Sequence, residues 1–69
     1  MIRNASIGET IYLQNGYGPK CVVKNVIRWK RFTLYHCKVV DARGHPTLTS
    51  KDSIARPAGE FSRNKKNKD

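Results

Sequence analysis

Apolar side chains recur along this chain in short alternating or β-branched runs, and no long window carries a stripe at the 3.6-residue period of an amphipathic helix. In Thr10-Ile11-Tyr12-Leu13, Ile11 and Leu13 alternate with Thr10 and Tyr12, the period of a half-buried strand. Gln14 to Pro19 is dense in turn formers. Lys20 to Ile27 is rich in β-branched residues and has the length of one strand. Arg28-Trp29-Lys30-Arg31 is a charged break, and Phe32 to Asp41 is the longest strand candidate. Ala42-Arg43-Gly44 turns the chain, and Pro46 to Ser50 reads as a short strand with Pro at its start. Lys51-Asp52-Ser53 suits a single helical turn, and Ile54 to Pro57 closes the body.

Five short strands in about 57 residues predict an all-β fold, a small five-stranded barrel, closed or nearly closed, since closure removes exposed edges. On the longest strand, Thr33, Tyr35, Cys37, Val39 and Asp41 share one face and Phe32, Leu34, His36, Lys38 and Val40 the other. One strand leaves open which face is buried; if it is the first, Ile11, Leu13, Val23, Val26, Leu48 and Ile54 complete the expected core. Composition changes at Pro57. Residues 1–57 form the expected domain, with 10 basic and 3 acidic side chains, whereas residues 58–69 carry one large apolar residue, Phe61. With so little to bury, that stretch is expected to stay a flexible, disordered basic tail.

Several segments together resemble the small SH3-like barrels of the Tudor and KOW type. They are Gly8-Glu9-Thr10-Ile11-Tyr12-Leu13, Gly16-Tyr17-Gly18-Pro19, Tyr35 to Asp41 and Ile54-Ala55-Arg56-Pro57. The resemblance is one of layout over residues 7–57, and the turn Asp41-Ala42-Arg43-Gly44 is longer than the Asp-Gly of that group. It implies an SH3-like barrel with a short 3-10 turn, in which the loop after the first strand borders a ligand groove.

Charge narrows the function. Fourteen Lys and Arg against five Asp and Glu give a formal +9 in 69 residues, with a sequence pI near 10.1. Such an imbalance favours a polyanionic partner: DNA, RNA, an anionic membrane or an acidic protein. Two cysteines make no disulfide-dense scaffold, the first residues are too polar for a signal-peptide core, and no apolar run approaches a membrane span. The expectation is a reduced, cytoplasmic protein that does not engage membranes. Cys21, His36, Cys37 and His45 lack the spacing of a zinc site, and adjacent strand residues His36 and Cys37 point to opposite faces. No nucleophile elbow or phosphate loop is present and no carboxylates are clearly paired, so a non-enzymatic protein without metal or cofactor is expected.

The foremost candidate site is Arg28-Trp29-Lys30-Arg31, flanked by Lys24 and Phe32. Lys and Arg neutralise phosphates and release counterions, and an indole between them can stack on a base. The plainer reading is a solvated hairpin loop whose Trp folds back over the barrel end. The second candidate is Gln14 to Lys20, with Tyr17 as a stacking residue and Lys20 as a phosphate contact; the alternative is that Tyr17 packs on the barrel. The third is Arg43-Gly44-His45 with Lys51, where the alternative is an exposed turn. An aromatic cage for a methylated side chain would suit acidic surroundings, and this chain is basic. The expected activity is nucleic-acid binding through a basic face with aromatic stacking. The rival is a protein-interaction module docked on an acidic surface of a larger nucleic-acid-processing machine.

Overall fold

The structure, a computed structural model, describes residues 5–44 and 52–67. They form a four-stranded antiparallel sheet in the order β1-β2-β3-β4, with β1 at Thr10–Tyr12, β2 at Lys20–Arg28, β3 at Thr33–Asp41 and β4 at Ser53–Pro57. The fold is therefore all-β, and the sheet is open where a five-stranded closed barrel was expected. The expected strand at residues 46–50 and the core candidate Leu48 lie outside the described residues. Two 3-10 turns punctuate the chain, η1 at Gln14–Gly16 and η2 at Ala58–Glu60. Of the helical turn expected at 51–53, Lys51 lies outside the described residues and Ser53 already belongs to β4; a 3-10 turn follows Pro57 instead.

Register fixes the two faces of the sheet. Val23 pairs with Cys37 and Cys21 with Val39, and these four side chains point inward. A β-bulge between Val23 and Asn25 leaves Lys24 without an opposite residue. It resets the alternation, so that Val26, opposite Tyr35, also packs against the core. The core comprises Ala5, Ile11, Leu13, Cys21, Val23, Tyr35, Cys37, Val39 and Phe61, with Ile54 partly buried against it. Tyr35 carries its hydroxyl inward at no polar cost, because that oxygen accepts the Ala5 backbone N–H at 3.1 Å.

The C-terminal stretch corrects the expectation of a flexible tail. Phe61 is completely buried, its ring 5.8 Å from that of Tyr35. The turn at Ala58–Glu60 is what brings it there, since it reverses the chain immediately beyond β4. Ser62 then bridges back to Tyr12, exchanging both backbone hydrogen bonds, and the Lys66 N–H donates to Gly16 O at 2.9 Å. Gly16 has φ of +104°, and a Cβ there would stand 2.7 Å from Asn64 O, so only glycine lets this segment approach. Arg63 forms an ion pair with Glu9, whose other oxygen accepts the Ser6 N–H. One aromatic ring and a ladder of backbone bonds thus order a sequence that looks too polar to fold.

Burial pushes the Cys21 thiol up from 9.0 to about 11, and burial with the neighbouring Cys21 pushes Cys37 to about 12. In the unfolded chain both thiols ionise near their ordinary value, while the folded state holds its protons. Their contribution is therefore fully present below pH 9 and is lost as pH rises through 11 and 12. Urea melts at pH 8 and pH 10 should show a stability drop of ~2 kcal/mol that a Cys21→Ala/Cys37→Ala variant largely lacks. No helix among the described residues is long and apolar enough to cross a membrane.

Candidate nucleic-acid interface

The β2–β3 hairpin outruns β1, while β4 follows β3 to within one residue of the tip. The β1 pairing covers only Lys20–Val22 of β2, and the β4 pairing covers Leu34–Lys38 of β3. At the hairpin tip, Arg28 pairs with Thr33, and the Trp29 N–H donates to Phe32 O at 2.9 Å. Lys30 and Arg31 make the turn itself, and both are exposed. Two polar turn residues with an aromatic on each side close a tight loop and bring the two rings together. Trp29 and Phe32 lie side by side, centroids 6.2 Å apart and planes 21° off parallel. They remain 62% and 52% exposed, so the Trp does not fold back over the sheet. The register places this pair on the outer face, whereas Arg28, opposite Thr33, projects from the inner side.

Arg28, Trp29, Lys30 and Arg31 therefore converge on one tip, and Lys24 is exposed at the bulge about 13 Å along β2. The remaining candidates sit at the other end of the sheet. Lys20 opens β2 opposite Asp41 and Tyr12, half-buried. Tyr17 is 51% exposed, with the Lys66 ammonium 5.7 Å from its ring centroid. The structure does not bring either of them to the Arg28–Arg31 tip.

The Arg43 guanidinium is turned onto the protein's own backbone. Its Nη1 donates to Gly16 O at 2.8 Å and Gly18 O at 3.0 Å, and its Nη2 donates to Lys66 O at 2.7 Å. The guanidinium carbon lies 5.6 Å from the Tyr12 ring centroid. The backbone at Arg43 is left-handed, φ +54°, with its N–H held by Asp41 Oδ1 at 2.9 Å. This is why the turn is longer than an Asp-Gly pair: it aims one long side chain across the η1 loop and the C-terminal segment. Arg43→Met should cost ~2 kcal/mol in a urea melt, because three carbonyls lose a charged donor, and should leave nucleic-acid affinity unchanged at a temperature where the variant is folded.

Phe32 is the tip residue that charge alone does not single out. Its signal is the period-2 alternation that places it with Leu34, His36 and Lys38 on the solvent side of β3. Along the chain, the segment that carries the hairpin is one-signed. Lys20, Lys24, Arg28, Lys30, Arg31 and Lys38 fall between Glu9 and Asp41, and no carboxylate lies between those two. Glu9 itself is held by Arg63, which with the Ser6 N–H keeps its carboxyl below the usual range. His45 and Lys51 of the third candidate turn lie outside the described residues. Comparison with protein-family models, with curated proteins and with solved structures finds no match to this chain.

Proposed function

We propose that this protein is a non-enzymatic nucleic-acid-binding module whose contact element is the tip of the β2–β3 hairpin. The observation that carries the reading is the exposed Trp29–Phe32 pair at a hairpin tip that also carries Arg28, Lys30 and Arg31. An aromatic pair held in water is costly unless it meets an apolar or π surface, and the cations around it favour one that carries phosphates. The finer architecture we propose is SH3-like. Four antiparallel strands are followed by a 3-10 turn and a bridge from Ser62 back to β1, the place where a closing strand would pair.

The test is fluorescence anisotropy of labelled single-stranded and duplex DNA and RNA at two salt concentrations, on nuclease-treated protein. Binding that depends on Arg28, Lys30 and Arg31 supports the reading, and weak binding to every probe that vanishes with salt removes it. The rival reading, docking on an acidic protein surface, draws on the half-buried Ile27 and Leu34 behind the aromatic pair. A stoichiometric partner retained after nuclease digestion and moderate salt would favour it.

A further inference from the structure

Among the described residues, the outer face of the sheet continues from the tip as a row of exposed and half-buried side chains. Tyr35, Cys37 and Val39 occupy the inner face, so Phe32, Leu34, His36 and Lys38 occupy the outer one. The register sets Trp29 beside Phe32, then Ile27 beside Leu34, then Asn25 beside His36. Lys38 follows at the far end, about 20 Å from Phe32. Asn25, Phe32, His36 and Lys38 are all exposed, and no carboxylate occurs in these rows. The order along the face is cations and aromatics at the tip, an apolar row, a row of hydrogen-bonding side chains, and a cation.

This sequence of chemistries suits one kind of polyanion. In a duplex each base is stacked on both sides and offers only its edges, so the faces of Trp29 and Phe32 find nothing to stack on. An unpaired strand can lie on the face. Its bases reach the aromatic and apolar rows, and its edges reach the Asn25 Nδ2 and the His36 imidazole, the Asn25 Oδ1 being taken by the Val26 N–H at 2.9 Å; its phosphates reach Lys30 or Arg31 at one end and Lys38 at the other.

Building on the nucleic-acid reading above, we propose that the outer face of β2 and β3, from Trp29–Phe32 to Lys38, is a track for single-stranded nucleic acid, with Asn25 and His36 as its base-contacting residues. Anisotropy with an oligo-dT of about 12 nucleotides and with a duplex of the same length tests it on the full chain. The expected result is at least tenfold tighter binding of the single strand at equal salt. Lys38→Ala should lower the single-strand salt slope by about 0.7, the share of one phosphate contact. His36→Ala should weaken single-strand binding several-fold while leaving duplex binding alone. Both side chains are exposed, and unchanged melting curves show that a loss is not unfolding. Equal or tighter duplex binding overturns the track and leaves the hairpin-tip reading standing. A single-strand preference untouched by both substitutions also overturns it, confining contact to the tip. Failure to bind either probe overturns both readings.

Discussion

Phe61→Ala is expected to leave the protein largely unfolded at room temperature. Truncating a fully buried phenylalanine costs about 3–5 kcal/mol, from lost transfer energy and from the cavity left behind. At roughly 0.05–0.15 kcal/mol per residue, a chain of 69 residues has only about 3–10 kcal/mol in total. The local setting pushes the cost upward. Phe61 packs on Tyr35, and its position holds the Ser62–Tyr12 bridge and, further on, the Lys66 bond to Gly16. Losing the ring removes the anchor of that whole segment. Far-UV circular dichroism in urea is the right readout, because Trp29 is exposed in the folded state and its fluorescence reports the core poorly. Phe61→Leu should retain most of the stability, and deletion of residues 58–69 should behave like Phe61→Ala or worse. Wild-type melting of Phe61→Ala would mean that the C-terminal segment does not contribute to the fold.

That residue also marks where the sequence ceased to be readable. The strands β2 and β3 were legible because burial imposes period 2 on Tyr35, Cys37 and Val39, and β-branched residues crowd Lys20 to Ile27. The core assignments Val23 and Val26 are three apart and would not share a face of a regular strand. The bulge at Lys24, which has no sequence signature here, reconciles them. Phe61 has no periodic neighbour, so nothing in its own stretch shows that the turn at Ala58–Glu60 swings it under the sheet. The setting of Arg43 was not legible for a related reason. An arginine in a turn looks like an available cation until three carbonyls from two other segments are found around it. The tip at Arg28–Arg31 was legible because its residues are contiguous in the chain. The outer-face row of Asn25 and His36 depends on strand register, which local composition does not specify.

Replacing Arg28, Lys30 and Arg31 together by Ala is expected to weaken nucleic-acid binding roughly a hundredfold at low salt. The same variant should flatten the dependence of log K on log salt by about 2–3, the share of three phosphate contacts. Net charge alone would also lower affinity, from +9 to +6, so the comparison needs a matched control. Lys20, Lys65 and Lys66 replaced by Ala remove the same three charges at positions not clustered on the hairpin tip. Lys66 binds Gly16 through its backbone, so that bond survives the substitution. If the tip is the contact element, the tip variant loses slope and the control retains nearly all of it. Equal losses would mean diffuse attraction by a basic protein, and the interface assignment would fall. Trp29→Ala separates the second contribution. An indole stacked on a base contributes about 1–3 kcal/mol without neutralising a phosphate. That variant should therefore bind single strands about 5- to 150-fold more weakly with the salt slope unchanged. Its melting curve should match the wild type, since an exposed ring at a hairpin tip supports little of the core. The two substitutions thus act on different coordinates of one titration, slope for the cations and intercept for the ring, and only a tip that uses both would move them independently.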